Sequence, residues 1–181
     1  TNRQDEYIAF VTNTNATSPY GIYITYDSAT PNGTINHFLV AADSTATRFQ
    51  LRSNGGLANY QANDTNLSDI RTKKDITPLE SYWNKFKALE IVKFKYKDQT
   101  HDDYNIGVIA QQVEEVAPEF VDQDGWGKTP EDGVPLKTIY TSDLHHATIK
   151  VLQEAMTKIE TQNQQIQELK AELDEYKATH P

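Results

Sequence analysis

The chain has 181 residues, with 17 Lys+Arg against 26 Asp+Glu, a net charge of −9 and no cysteine. The acidity argues against a nucleic-acid or anionic-membrane partner, since both need a basic face. The missing thiols exclude disulfides, cysteine nucleophiles and Cys-type zinc sites within these residues. Hydrophobic residues make up 37%, which suits an elongated or oligomeric protein that buries apolar surface between copies. No apolar run is long enough to span a bilayer, and no basic-then-apolar leader pattern follows Thr1.

Residues 1–67 contain three Arg, no Lys and five Asp+Glu, so most of the net −9 lies in the remainder. Four runs read as short strands: Tyr7–Val11, Gly21–Tyr26, His37–Val40 and Arg48–Arg52. They are rich in β-branched and aromatic residues and are separated by Ser18-Pro19, Pro31-Asn32-Gly33 and Asn54-Gly55-Gly56 turns. A β unit of this size with so few large apolar residues struggles to bury a core alone. Pairing with copies of itself solves that problem.

The composition shifts at Ser68. Thr77-Pro78-Leu79-Glu80 predicts a helix start, with Thr77 as N-cap, Pro78 at the first helical position and Glu80 at the third. Trp83, Phe86 and Leu89 give that helix an apolar face. Ile91–Tyr96 alternates like a strand, Asp102-Asp103 marks a turn, and Ile106–Ile109 is a short apolar strand. Ala110–Val116 follows as a short helix stopped by Pro118. Trp126 lies in a Gly/Pro-rich loop, and Leu136–Tyr140 reads as a last strand.

A single long helix then spans residues 142–178. Thr141 or Ser142 is placed to cap it, and Asp143 favours its positive end. Leu152, Met156, Ile159, Asn163 and Ile166 recur at alternating steps of four and three, a heptad seam. Leu169, Leu173 and Tyr176 continue in a shifted phase, a stammer. So narrow a stripe on so long a helix predicts self-association as a coiled coil, with Asn163 fixing register.

The stretch Leu67-Ser68-Asp69-Ile70-Arg71-Thr72-Lys73-Lys74 offers a candidate reaction centre. Serine is a weak nucleophile without a base, and a lysine serves as base once burial or a neighbouring cation favours its neutral form. Asp69 and Arg71 are placed to support the pair. Spacing alone favours an exposed linker, because Ser and Lys are common surface residues. The five histidines carry no metal-ligand spacing. His145 and His146 are adjacent on a helix and point about 100° apart, so they read as solvated or interfacial. The carboxylate pairs Asp102-Asp103, Glu114-Glu115 and Glu131-Asp132 read as solvated rather than as a glycosidase site. No metal or cofactor is implied.

Ser68-Asp69-Ile70-Arg71-Thr72-Lys73-Lys74-Asp75-Ile76 resembles the S-D-x-R-x-K-x-D/N-I opening of the C-terminal intramolecular chaperone domain of phage tailspikes, endosialidases and tail fibres. Tyr104–Glu119, with Ile106-Gly107-Val108-Ile109-Ala110-Gln111-Gln112-Val113 and Pro118-Glu119, is similar to the family's second signature. Val134–Leu152, with Tyr140, Leu144, Ala147 and Leu152, is similar to its third. Thr72 stands where the family often has an apolar residue, and Gln112 where Glu is common.

The resemblance implies an α+β fold in a homotrimer. Residues 1–67 are then the end of an intertwined β-structured fibre, and residues 68–181 a mixed α/β chaperone and autoprotease domain with its coiled-coil helix. It implies that the domain assists folding of the upstream fibre of the same chain. The domain then releases itself between Leu67 and Ser68, with Ser68 as nucleophile and Lys73 as base. Assembly is expected in the host bacterial cytoplasm, with the residues before Ser68 retained in the virion. The alternatives are a non-cleaving trimerisation tip that contacts a receptor, and a glycan-cleaving end for which no carboxylate constellation speaks.

Overall fold

The computed structural model describes residues 11–61 and 65–180. The expected strand Tyr7–Val11 lies, apart from Val11, outside them. The chain divides into two compact units, Thr1–Leu67 with Tyr96–Asp103, and Ser68–Lys95 with Tyr104–Pro181.

In the first unit, β1 (His37–Ala42), β2 (Thr47–Arg52) and β3 (Leu57–Asn59) form an antiparallel meander. Leu39 pairs with Leu51, Ala41 with Phe49, and Phe49 in turn with Asn59. The β1–β2 turn is built by Asp43, whose Oδ1 accepts from the Thr45 amide at 2.7 Å and the Ala46 amide at 2.9 Å. The Thr45 hydroxyl and then Arg48 hold this carboxyl far below the usual carboxylate range. The β2–β3 turn uses Gly55 at φ 81°, a left-handed conformation that a side chain would strain.

The run Gly21–Tyr26, expected as a strand, forms none. A strand needs a neighbour to take its backbone groups, and here no ladder forms along it. Tyr26 is anchored: its ring lies 4.8 Å from that of Phe38, and its hydroxyl donates to the His37 carbonyl.

The second unit is a small mixed α/β body. It contains α1 (Trp83–Ala88), β4 (Val92–Phe94), β5 (Asn105–Gly107), α2 (Ala110–Val116), β6 (Val121–Asp122), β7 (Thr138–Ile139) and α3 (Thr141–Thr179). The two strand pairs, β4–β5 and β6–β7, are both antiparallel. Gly107 has a steric reason: a Cβ there would meet the Phe94 ring at 3.3 Å. The core gathers Tyr82, Val113, Ala117, Phe120, Val121 and Ala147, with Phe86, Leu89, Leu144 and Val151 packed against it. α2 ends as expected before Pro118, and the 3₁₀ turn Pro118–Phe120 swings Phe120 into this cluster.

Two helix starts differ from expectation. α1 begins at Trp83 rather than after Thr77, because Tyr82 is drawn into the core, 5.4 Å from the Phe120 ring. Ser81 is likewise committed, donating to Glu154 on α3 at 3.0 Å. α3 begins at Thr141, but neither Thr141 nor Ser142 caps it through its side chain. Pairing of β7 with β6 instead fixes Tyr140, whose amide donates to the Phe120 carbonyl at 2.9 Å. The Tyr140 carbonyl then accepts from Asp143 and Leu144. Asp143 sits in the first turn, as the helix dipole favours.

Candidate active site

The stretch from Ser68 to Lys73 folds into a tight hook. Asp69 caps a 3₁₀ turn over Ile70–Thr72, its Oδ1 accepting from the Arg71 amide at 2.9 Å. The same carboxylate receives the Arg71 guanidinium through two bonds, Nε at 2.9 Å and Nη2 at 2.7 Å. That fork holds the Asp69 carboxyl below its ordinary range and raises the Arg71 guanidinium. Two further bonds close the turn on the Asp69 carbonyl, from the Thr72 amide at 3.0 Å and the Thr72 hydroxyl at 2.8 Å.

The turn reverses the chain, and the Lys73 Nζ donates to the Ser68 Oγ at 2.6 Å. The two residues singled out as nucleophile and base are therefore in direct contact. Asp69 and Arg71 engage each other rather than either member of the pair. Arg71 thereby spends its charge on Asp69, leaving Lys74 as the cation adjacent in sequence. The role of Thr72 was not legible in the motif comparison: where the family often has an apolar residue, this hydroxyl stitches the hook. The signal was local, an Asp three residues before a Thr at a turn.

All of this lies at the surface of the single chain. Leu67 is 80% exposed, and Ser68 and Lys73 are exposed as well. Water therefore reaches both members of the pair. Just beyond the hook, Asp75 takes a positive φ of 53°, uncommon for a residue with a side chain.

The seam of α3 is equally open. Leu152, Met156, Ile159 and Ile166 are 49–60% exposed, and Asn163 is exposed between them. The other side of the helix serves its own unit: Leu144, Ala147 and Val151 pack on the core. Lys158 lies 3.5 Å above the Trp83 ring. Of the carboxylate pairs, Glu114 is taken by Lys137 and by Gln123 at 2.8 Å, which lowers its pKa mainly through the Lys137 bond. His101 faces Asp103 at 3.6 Å. Among the described residues no group of three His, Asp or Glu side chains is placed to hold a metal within one chain.

Compared with known proteins, the segment that opens with this hook matches the model of a peptidase family described as "Chaperone of endosialidase", over residues 68–122. The match takes in the first two motifs, the hook and Tyr104–Glu119, and stops short of the third. No curated protein matches the chain. Among solved structures, the carboxy-terminal domain of the bacteriophage T5 L-shaped tail fibre with its intra-molecular chaperone domain aligns over 68% of this chain, at 17% identity and a TM-score of 0.37. The alignment spans 43% of that structure's chain.

Proposed function

We propose that residues 68–181 are an intramolecular chaperone of a phage tail fibre or tailspike, which assembles as a homotrimer and then severs itself from residues 1–67. The contact between Lys73 Nζ and Ser68 Oγ at 2.6 Å carries this reading, since it falls at the first residue of the segment that matches the chaperone family. The strand-built unit before Ser68 and the open seam on α3 support it. Burying that seam against two copies removes from water a stripe that stands exposed among the described residues, at roughly 25 cal/mol per Å² of apolar area.

Neutral Lys73 takes the Ser68 hydroxyl proton as Oγ attacks the Leu67 carbonyl carbon. The tetrahedral adduct collapses, the Leu67–Ser68 C–N bond breaks, and Lys73 returns the proton to the departing Ser68 amine. An ester now links the Leu67 acyl group to Ser68 Oγ. Water adds to that ester, giving a Leu67 carboxylate and restoring the Ser68 hydroxyl. Assembly supplies the burial that makes Lys73 a base, so cleavage follows correct folding. Assembly takes place in the host cytoplasm, and the residues before Ser68 stay with the virion.

The test is the intact mass of the denatured protein, wild type beside Ser68→Ala. We expect two wild-type fragments meeting at Leu67/Ser68 and one uncut mutant chain. A Ser68→Ala chain that still separates into two pieces would exclude the mechanism. The seam has its own test, the double variant Ile159→Asp, Ile166→Asp, which should yield insoluble or monomeric precursor by sedimentation. Soluble trimers in that variant would rule out the coiled-coil clamp. One observation favours a second reading, a trimerisation tip that stays attached: Ser68 and Lys73 are exposed in the single chain. Uncut wild-type trimers would decide for it.

A further inference from the structure

The seam of α3 does not begin at Leu152. Counting back by three and then four residues reaches Ile149 and His145. In heptad terms Ile149, Met156 and Asn163 occupy one core position, while His145, Leu152, Ile159 and Ile166 occupy the other. Ile149 is 42% exposed, and His145 is exposed in line with it. The residues that pack on the chain's own core, Leu144, Ala147 and Val151, point roughly 130° away around the helix, at about 100° per residue. The unit therefore sits on one side of α3 and leaves the seam open as far as His145.

We propose that three copies of His145 form a binding site for a divalent transition-metal ion, zinc or a close analogue, on the trimer axis at the start of the coiled coil. This rests on the trimeric reading given above. A parallel trimer joined along the seam brings one imidazole from each chain into a single layer, directly above a layer of Ile149. Three neutral imidazoles suit zinc, with nitrogens at about 2.0–2.1 Å and a fourth position left for water. Among the described residues no hydrogen bond or ion pair engages the His145 ring; it meets only the His146 ring, edge-on at 5.7 Å. His146 itself lies off the seam, with its Nδ1 2.7 Å from the Ser142 carbonyl oxygen. Each chain contributes one ligand, so the site exists only in an assembled, in-register trimer. Metal bound there stabilises that trimer by mass action.

The experiment is equilibrium dialysis of the untagged full chain against zinc alone, with sedimentation velocity on the same samples. The expected result is a trimer that holds one zinc per three chains and melts at a higher temperature with zinc than with chelator. His145→Ala should remain trimeric and lose the bound zinc, while His146→Ala should keep it. A trimer that takes up no zinc, or a His145→Ala trimer that binds as much as wild type, overturns the inference. A chain that sediments as a monomer overturns it too, and places the failure in the trimeric reading instead.

Discussion

The hook at Ser68–Lys73 and the core around Phe120 belong to the same unit and are held together in opposite ways. Every bond of the hook spans five residues or fewer and lies at the surface. The core joins Tyr82, Val113, Ala117, Phe120 and Ala147, residues far apart in the chain, and contains no buried polar or charged residue. An exposed hydrogen bond contributes at most about 0.5–1.5 kcal/mol, whereas a buried aromatic contributes several times that. The difference shows how one small domain separates stability from chemistry. The core makes the fold. The hook sets the Ser68 hydroxyl beside the Lys73 side chain and leaves both in water. In the proposed mechanism the assembled trimer covers them.

Three substitutions sharpen or break this contrast. The largest effect is expected for Phe120→Ala, which empties a site 4% exposed and should cost about 3–5 kcal/mol. Urea unfolding on the uncut Ser68→Ala background measures it. A loss below about 1 kcal/mol would mean that the cluster is not what holds the unit together.

Next comes Tyr82, whose phenol is pushed up from 10.0 to about 12, first by burial and then by its bond to Glu119. Between those values the unfolded chain releases a proton that the folded chain keeps. Stability is therefore full below the unfolded value and falls as pH rises through the window. Tyr82→Phe should remove this part of the alkaline loss. Unfolding curves on either side of about pH 10 test it, and an unchanged slope would refute it.

The smallest effect is expected at Thr72. Thr72→Val keeps the shape and deletes the hydroxyl bond to the Asp69 carbonyl. At about 1 kcal/mol or less, it should slow self-cleavage by no more than about fivefold without moving the urea midpoint. Faster cleavage would show that apolar packing against Val, rather than the local bond, sets the position of Lys73.

Sequence and structure part company along the same line. The residues of the hook were singled out by their resemblance to a motif, while spacing alone favoured an exposed linker; its bonds join near neighbours, Asp69, Thr72 and Lys73, over one turn of chain. The long helix was legible because a 3.5-residue apolar repeat without Gly or Pro has one regular solution. What the motif left open was whether Ser68 and Lys73 meet, and the 3₁₀ turn brings them together.

By itself, then, the sequence determined the order of the motifs, the extent of α3 and the apolar repeat along it; the turn that brings Ser68 to Lys73 came from the structure. Only the tertiary structure decided where α1 begins, which residues start α3, and that Gly21–Tyr26 forms no strand. Periodicity depends on residues a few positions apart, which a sequence displays directly. Ladder pairing and burial depend on partners brought from elsewhere in the chain. Tyr82 in the core, Tyr140 bound to Phe120 and the unpaired run before Tyr26 were all settled by such partners, present or absent.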